Sequence, residues 1–597
     1  MPRLRIHACL GFCVLTPNLI AAWIGPIAVA PGDSADTCYV AGARSQELLT
    51  VSLRGGRVVG RVSLPGEPTG LTVAENGQGV WMTLTGNSDA VVQIDPRTAR
   101  ERSRYPVPAG ACAPILAPGL KRLFVCSRFD HSVGAFALPE GDFLGRLPAV
   151  REPVAAALSP DESWLVVANH LPAQAADGKR VAACVTLIDA RSWMVRTNLA
   201  LPNGSVALRG VSIAPGGRYA CVTHNVARFQ APAAQVEHGW MNDSAVSVID
   251  LQTLSLRNTV FLDEPERGAA NPWATAWTPD ARHICVAHSG THELSLLDAE
   301  TFLEKLKGSP RGRLLEDMEW VRGLRRRLPL ELNGPRSLAV IGDSVVAAGF
   351  FSDSLTILDR KSGAVTGKIQ LGETGPEDRR QIGERLFHDA TIGRKSWQSC
   401  ASCHPDGRTD GLNWDLLNDG IGNPKNTKSM VLSHRTPPAM STGVRGTAED
   451  AVRSGLRNIL FALRPEEEAA AIDTYLQGLE PLRSPTLVEG KLSERAQHGK
   501  VLFEDPAIGC AACHPAPLYT DCKSYDVGTA RPFDGKSRKF DTPTLVEVWR
   551  TAPYLHDGSQ TTIKGVLTDG NPRDRHGRTS QLTPEQIEDL AAFVMSL

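Results

Sequence analysis

The sequence has almost no excess of charge of either sign. Its 597 residues include 64 lysines and arginines against 65 aspartates and glutamates, so the formal net charge is −1. Without a basic excess the chain has no general attraction for a phosphate backbone, and we expect no nucleic-acid partner. Docking to a charged protein must instead depend on local patches of the surface.

The composition also lacks the marks of a disordered chain or a polytopic membrane protein. Hydrophobic residues make up 42% and charged residues 22% of the sequence, which is the balance of an ordinary globular protein. Since domains usually hold roughly 100–200 residues, a chain of this length predicts several domains.

Charge is missing altogether from residues 8–30, directly after Arg3 and Arg5. This pattern ends in the small residues Ala28-Val29-Ala30 and predicts a signal peptide over residues 1–30. The mature protein is therefore expected to be periplasmic or otherwise exported. The uncharged run is also about long enough to span a membrane, so an uncleaved membrane anchor is the alternative.

The next part of the chain repeats an apolar strand that ends in aspartate, at Asp95, Asp189, Asp250, Asp298 and Asp359. Several copies follow a turn and a second apolar strand, which gives a repeat of roughly 40 residues. One unit cannot bury both faces of its small sheet, so neighbouring units must stack into a ring. The repeat predicts an all-β propeller of about seven blades over residues 36–372. It resembles the YVTN/YncE-like propellers of exported proteins.

Cysteine is present in an odd number, 13, and several of these residues fall in the predicted propeller. In an oxidising compartment some of them are expected to pair. Cys112 and Cys126 are the best candidates because they flank a predicted hairpin. The alternative is a set of buried free thiols at strand positions.

Four other cysteines form two C-x-x-C-H motifs, which end in His404 and His514. Two thiols three positions apart on a helical turn can each bond one vinyl group of a haem, and the adjacent histidine then binds the iron. The alternative is zinc or a disulfide, but zinc would need a second Cys/His pair at a matching distance. The motifs predict two covalently bound haem c groups and two proximal iron ligands, held by Cys400, Cys403 and His404 and by Cys510, Cys513 and His514.

The surroundings of the two motifs are repeated. A G-x-x-L-F-x-D segment precedes each motif, at 383–389 and 499–505, and an amphipathic helical pattern follows each. An opening helix, a C-x-x-C-H turn and a closing helix together resemble class I cytochromes c. The chain is therefore predicted to end in two all-α class I cytochrome c-like domains, at 378–482 and 490–597.

Further segments carry a family resemblance, namely 386–389 (LFHD), 399–405 (SCASCHP), 540–545 (FDTPTL) and 551–559 (TAPYLHDGS). With them, residues 380–597 resemble the bacterial di-haem cytochrome c peroxidase and MauG family. The resemblance implies an oxidoreductase that exchanges electrons with a small redox protein and reduces hydrogen peroxide. In the MauG branch it implies oxidation of a partner-protein substrate. It also implies a Ca²⁺ ion between the haem domains.

The resemblance points to candidate iron ligands on the distal side of each haem. The family's distal Met or Tyr of the second haem falls at Gly570 in this chain, and His576 is the candidate replacement. The alternative for His576 is a loop histidine that bonds a carboxylate or the backbone. For the first haem the candidates are His434 and Met440, with a place in the core as the alternative for Met440.

Peroxide cleavage also needs a group that moves protons on the distal side of the first haem. The family's glutamate falls at Ala451, so the neighbouring Glu449 and Asp450 are candidate catalytic carboxylates. Arg445 is a third candidate, and its alternative role is to bind a haem propionate. The alternative is that the two carboxylates only lie on a solvated helix surface.

Two functions therefore stay open. The first is an exported enzyme, either a cytochrome c peroxidase-like oxidoreductase or a MauG-like oxidase of a partner protein. The second is a non-catalytic electron-transfer cytochrome that uses its propeller as a docking module, which requires a second protein ligand on each iron.

Overall fold

The computed structural model shows a propeller followed by two helical regions that carry the C-x-x-C-H motifs. The described residues are 23–74, 79–86, 89–233, 236–237, 239–312, 314–373, 375–416, 422–534 and 538–597. Residues 1–22 of the predicted signal peptide lie outside the described residues.

Seven four-stranded antiparallel sheets form the propeller, with the strands of each sheet in chain order. This confirms the predicted count of seven blades. The first four blades contain β1 Pro26–Pro31, β2 Thr37–Gly42, β3 Glu47–Ser52, β4 Arg57–Ser63, β5 Glu67–Val73, β6 Val80–Thr85, β7 Ala90–Asp95, β8 Arg100–Pro106, β9 Ala111–Ala117, β10 Arg122–Ser127, β11 Ser132–Ala137, β12 Phe143–Pro148, β13 Pro153–Leu158, β14 Trp164–Asn169, β15 Cys184–Asp189 and β16 Met194–Ala200. The last three blades contain β17 Ser205–Ile213, β18 Tyr219–Ala227, β19 Asn242–Asp250, β20 Ser255–Phe261, β21 Pro272–Trp277, β22 His283–His288, β23 Glu293–Asp298, β24 Arg325–Pro329, β25 Pro335–Ile341, β26 Ser344–Gly349, β27 Ser354–Asp359 and β28 Val365–Gln370.

Burial decreases toward the outer edge of each blade. In the fourth blade, the middle strands β14 and β15 are buried at five of six positions, since neighbouring blades cover both faces of the sheet. The outer strand β16 alternates between half-buried and exposed residues. The middle strands therefore appear in the sequence as short unbroken apolar runs, which is the pattern expected for strands covered on both faces.

The first blade begins at Pro26, earlier than the predicted start of the propeller at residue 36. Just before it, the backbone N–H of Ile24 donates to the carboxylate of Asp353 in the last blade at 3.0 Å, which helps to close the ring. A cut after Ala30 would remove five of the six residues of β1. The signal-peptide boundary at residue 30 stays a prediction, and we propose that any cut lies before Trp23.

The helical part of the chain follows β28. The α-helices of the described residues are α1 Ala299–Gly308, which is an insertion in the sixth blade, α2 Arg379–His388, α3 Cys400–Cys403, α4 Ala448–Asn458, α5 Glu466–Gln477, α6 Glu494–Glu504, α7 Cys510–Cys513, α8 Ile563–Leu567 and α9 Pro584–Met595. Two short hairpins accompany them, β29 Asn413–Trp414 with β30 Lys425–Asn426, and β31 Ser524–Tyr525 with β32 Phe540–Asp541. No helix in the described part of the chain is both long and apolar enough to cross a membrane.

Each helical region is built on a close crossing of its opening and closing helices. A Cβ atom added at Gly383 of α2 would lie 1.9 Å from the carbonyl oxygen of Ala471 in α5. A Cβ atom at Gly499 of α6 would lie 1.8 Å from the carbonyl oxygen of Asp589 in α9. The glycine of the repeated G-x-x-L-F-x-D segment therefore permits the same backbone contact twice. The predicted fold class, a propeller followed by two cytochrome c-like domains, is confirmed, although much of the helical regions is irregular chain.

The propeller cysteines are free thiols. Cys112 and Cys126 are Cα partners across β9 and β10, as expected for the predicted hairpin, but they are not bonded to each other. The other propeller cysteines are buried free thiols, namely Cys38, Cys184, Cys221 and Cys285. The structure thus matches the alternative of unpaired thiols at strand positions.

The helix crossing gives a first testable prediction. Gly499→Ala forces the backbones of α6 and α9 apart, so we expect a loss of about 1–3 kcal/mol in unfolding free energy, followed through the haem absorption on heating. Gly455→Ala is the matched control, because Gly455 is also helical and a Cβ atom there meets no atom within 4 Å. The control should gain roughly 0.5–1 kcal/mol. Equal stability of the two variants would contradict this account of the crossing.

Candidate haem sites

The first C-x-x-C-H motif forms the single turn α3. Ser399 caps this turn and makes a reciprocal capping box with Ser402. Nδ1 of His404 donates to the carbonyl oxygen of Arg408 at 3.0 Å, which fixes the orientation of the ring. Burial lowers the pKa of His404, so the ring is neutral at pH 7, as iron binding requires.

The second motif repeats this arrangement in α7. Nδ1 of His514 donates to the carbonyl oxygen of Tyr519 at 2.8 Å, and burial again lowers the pKa of the ring. In both motifs a backbone carbonyl a few residues downstream selects the same histidine tautomer. Both predicted proximal ligands are therefore oriented and neutral.

His576 lies close to His514. The centres of the two imidazole rings are 6.3 Å apart. With a metal–imidazole bond of about 2.0–2.1 Å and a ring centre about 1.1 Å beyond the nitrogen, two rings on one metal ion are separated by about 6.3 Å. At the observed spacing, both rings could reach a single metal ion.

The surroundings of His576 suit a ligand. Burial, reinforced by His514, lowers its pKa to about 4, so the ring is neutral at pH 7. Its Nδ1 is buried and has no hydrogen-bond partner among the described residues. The side chain of Asn571 instead holds the backbone, by accepting from the N–H of His576 at 2.9 Å and donating to its carbonyl at 3.1 Å. These contacts favour the ligand role over that of a loop histidine whose ring is hydrogen-bonded.

The two distal candidates of the first haem are placed differently. His434 has both ring nitrogens engaged, Nε2 with Asp473 at 3.0 Å and Nδ1 with Ser433 at 3.3 Å. Asp473 also accepts from Arg453, which fixes His434 in an ion-pair group. As placed, His434 has no free nitrogen for iron. Met440 is half-buried, and its backbone is left-handed, with φ 73°.

A loop that follows both motifs is built twice on the same plan. The segments 435–438 (RTPP) and 550–553 (RTAP) each lead to a residue with left-handed backbone, Met440 with φ 73° and Leu555 with φ 71°. Each loop then reaches a threonine that caps the next helix. Sequence reasoning missed the R-T-x-P repeat, although it is visible in the sequence. The repeat indicates that the duplicated region includes the TAPYLHDGS segment. It makes Met440 the counterpart of Leu555.

The candidate catalytic residues Arg445, Glu449 and Asp450 lie together at the start of α4. Thr447 caps this helix by accepting the N–H of Asp450. Arg445 donates to Ser454 Oγ at 3.1 Å. Asp450 is exposed, as the solvated alternative expects, whereas Glu449 is half-buried. Of the two carboxylates, Glu449 is the one with partial shelter from water.

The propeller covers the first motif. Nδ2 of Asn242 donates to Sγ of Cys403 at 3.3 Å, a direct contact with a predicted haem-bonding sulfur. Asn271 bonds the hydroxyls of both Ser399 and Ser402 at 2.8 Å. By contrast, α7 of the second motif has no buried residue. The attachment edge of the first haem is thus closed by the propeller, and that of the second is more open.

Asp406, two residues after His404, joins the three parts of the protein. Its carboxylate accepts from Arg128 of the third blade at 2.6 Å and from Arg209 of the fifth blade at 2.8 Å. It also accepts from Arg550 of the second helical region at 3.3 Å. Burial opposes ionisation of Asp406, but Arg209 and Arg128 together hold its pKa well below the usual range.

Further ion pairs secure the same junction. Glu152 accepts from Arg128 at 2.7 Å and from Arg550 at 3.2 Å. Arg408, whose carbonyl orients His404, forms a two-pronged pair with Glu547 of the second helical region, at 2.8 and 3.1 Å. Sequence reasoning missed all of these residues, since no spacing or motif links them.

The Ca²⁺ ion implied by the family resemblance has no side-chain cluster to bind it in the described residues. No group of three or more His, Cys, Asp or Glu side chains there could hold a metal ion. The Ca²⁺ ion stays a prediction.

Two of the similar proteins each match 36% of the chain. No protein-family model matches the chain. It is 31% identical to hydrazine synthase subunit gamma of Kuenenia stuttgartiensis over 271 residues, which cover 36% of this chain and 77% of that subunit. It is 26% identical to the methylamine utilization protein MauG of Methylophilus methylotrophus, over 36% of this chain and 81% of that protein. Several bacterial cytochrome c peroxidases match a similar share of the chain.

A likeness in fold extends further along the chain. A solved chain of the hydrazine synthase of Kuenenia stuttgartiensis matches 59% of this chain and 99% of its own length, with a TM-score of 0.51. The sequence identity in this match is 21%, so the likeness concerns the fold alone.

The junction at Asp406 gives a second prediction. Asp406→Asn leaves three arginines without their shared counter-charge, and we expect a loss of roughly 3 kcal/mol in thermal unfolding experiments. Asp189→Asn is the control, because the ion pair of Asp189 with Arg196 lies at the surface and the side-chain oxygen of an asparagine can still accept from the backbone N–H groups of Arg191 and Ser192. Its loss should stay below about 1 kcal/mol. If Asp406→Asn lost no more unfolding free energy than Asp189→Asn, the junction would not hold the domains together.

Proposed function

The carboxyl-terminal part of this chain belongs to the di-haem family that includes MauG, the cytochrome c peroxidases and hydrazine synthase subunit gamma, and we propose that the whole protein is an exported di-haem oxidoreductase. In this proposal Cys510, Cys513 and His514 would hold a haem that serves electron transfer. Cys400, Cys403 and His404 would hold a haem that serves the reaction with a small substrate, for which hydrogen peroxide is the leading candidate. Each haem, when bound, supplies a one-electron redox centre.

The observation that carries this proposal is the spacing of 6.3 Å between the rings of His514 and His576. If His514 and His576 both bound one iron, they would leave no place on it for a substrate. Such a site suits electron transfer. The carbonyl of Tyr519 orients the ring of His514, and Asn571 fixes the backbone of His576, so we expect little reorganisation on a change of charge.

The first site differs in the residues that face its iron. His404 is oriented for proximal binding, but His434 is engaged by Asp473 and Ser433. In the proposal a haem held by His404 would therefore keep a position for a small substrate, and Met440 would be at most a displaceable ligand. Reduction of one peroxide to two waters consumes two electrons and two protons. Glu449 is our candidate to move these protons, and Arg445 lies near it at the start of α4.

The uneven cover of the two motifs supports a direction of electron flow. The residues of α7 are not buried, whereas propeller residues contact α3 directly. We place the docking site of a small redox protein at the second motif and the substrate at the first. Because the net charge is only −1, this docking depends on local surface groups and on short-range contacts.

A second candidate function follows from the relative with 31% identity, which is named hydrazine synthase subunit gamma. In this alternative the first haem acts on a small nitrogen compound instead of peroxide. The same bis-histidine relay would serve both reactions. Consumption of hydrazine by the oxidised protein, together with no turnover of peroxide, would favour this second function.

The relay proposal yields a third prediction. His576→Ala removes one axial ligand, so the ferric second iron should change from low spin to high spin, as measured by absorption and magnetic circular dichroism. His434→Ala is the control and should leave the spin state of both irons unchanged, because this ring is already bonded to Asp473. A full low-spin signal in His576→Ala would exclude His576 as the ligand.

The peroxidase proposal yields a fourth prediction. With peroxide and a reduced small cytochrome, Glu449→Gln should lower kcat by about 10²-fold or more, because a positioned proton-transfer group is lost. Asp450→Asn, next in sequence but exposed, should change kcat less than about threefold. If the wild type does not turn over peroxide, the peroxidase proposal fails. If both variants match the wild type, the role of Glu449 fails.

A further inference from the structure

The innermost strand of every blade carries a bulge near its first residues. A bulge leaves a residue out of the ladder and turns its side chain in a new direction. In the fifth, sixth and seventh blades the bulged residues include Arg209, Trp273 and Arg336. Three consecutive blades thus bring two cations and one aromatic ring together at the same level of the propeller.

These three side chains form a stack. The guanidinium carbon of Arg209 lies 4.1 Å from the ring centre of Trp273, and that of Arg336 lies 4.5 Å from the same centre. Phe350 and Phe351 enclose Arg336 from other directions, at 4.0 and 4.7 Å. Aromatic faces attract a cation but do not replace a counter-ion.

Arg336 carries a buried charge that no acidic side chain neutralises directly. It is 9% exposed, and among the described residues it makes no ion pair and no hydrogen bond, with its Nε buried and unsatisfied. The carboxylates that act on it, Glu384 and Asp406, are bound to other arginines, such as Arg44 at 2.9 Å for Glu384. A buried charge in this state is costly unless a further anion is present.

A small cavity adjoins the stack. Arg209 and Trp273 line it from the propeller, and Ala401 of the first haem motif and His388 of α2 line it from the other side. Ser289 also lines it, and its hydroxyl is buried, 2% exposed and without a hydrogen-bond partner among the described residues. The volume is about 20 Å³, which is the room of about one or two water-sized species.

We infer that this cavity binds a small anionic group between Arg209 and Ser289. Arg209 already donates to Asp406, and Arg336, which stacks on the Trp273 ring but does not line the cavity, supplies the positive charge that is left over. A halide or a small planar oxyanion fits the size of the cavity and the donors that line it. The same chemistry has two sources, a free inorganic anion and a propionate of the first haem. Either one would place a fixed negative charge beside the first C-x-x-C-H motif.

The test uses nitrate as the probe and the holoprotein as it is isolated. Sodium nitrate is exchanged for sodium gluconate at constant ionic strength, and the midpoint of thermal unfolding is recorded. For a free anion the midpoint should rise with the logarithm of nitrate concentration. Arg336→Gln and Ser289→Ala should each need about 10-fold more nitrate or more for the same rise.

Two further variants serve as controls for folding and for charge. Arg336→Lys retains the charge and should keep part of the nitrate response even if Arg336→Gln is poorly folded. Arg326→Gln changes an exposed arginine of the sixth blade and should respond as the wild type does. It controls for general effects of charge.

The reduction potential of the first haem distinguishes the two sources. If nitrate and gluconate act alike on the wild type but Ser289→Ala, which removes no charge, shifts this potential, the anion is the haem propionate. If they act alike and Ser289→Ala leaves the potential unchanged, the cavity binds no anion and the inference is overturned. These readouts do not depend on peroxide turnover, so they can fail independently of the proposed enzyme function.

Discussion

The carboxylate of Asp406 is the point on which the arrangement of the domains depends. It lies two residues after His404 and is bound by arginines of the third blade, the fifth blade and the second helical region. Charges removed from bulk water are stable only when they are paired and hydrogen-bonded. The geometry of the first haem motif is therefore tied, through one side chain, to both the propeller and the second haem region.

This tie explains why the two haem motifs differ although their local structure is duplicated. Both histidines donate Nδ1 to a downstream carbonyl, and both regions use a glycine at the helix crossing. Only the first motif, however, has Asn242 on a cysteine sulfur and Asn271 on its capping serines. The two motifs share a local structure but differ in their surroundings. This difference favours two roles, a reactive site at the sheltered first motif and an electron relay at the more accessible second motif.

The fold was largely predictable from the sequence because its signals are local. Each strand of a blade pairs with the next strand in the chain, and each C-x-x-C-H motif places its thiols and histidine within one turn. The junction was not predictable, since Arg128, Arg209 and Arg550 lie 278, 197 and 144 positions from Asp406. No periodicity links residues so far apart.

The distal candidates show the same limit at the level of single side chains. From the sequence, His434 and His576 are equally plausible, because each is a histidine in a loop after a haem motif. The structure separates them through their partners. An aspartate binds the ring of His434, whereas the hydrogen bonds of His576 to other described residues engage its backbone. Such partners are brought together only by the tertiary structure. Asp473, for example, is 39 positions from His434 in the sequence.

The central claim is that the two irons have different axial coordination. Low-temperature electron paramagnetic resonance of the ferric holoprotein, before and after addition of cyanide, tests it most directly. The account predicts one low-spin signal of a bis-imidazole haem that cyanide leaves unchanged, and one second signal that cyanide converts. Two low-spin signals that both persist in cyanide would contradict the account and indicate a pure electron carrier.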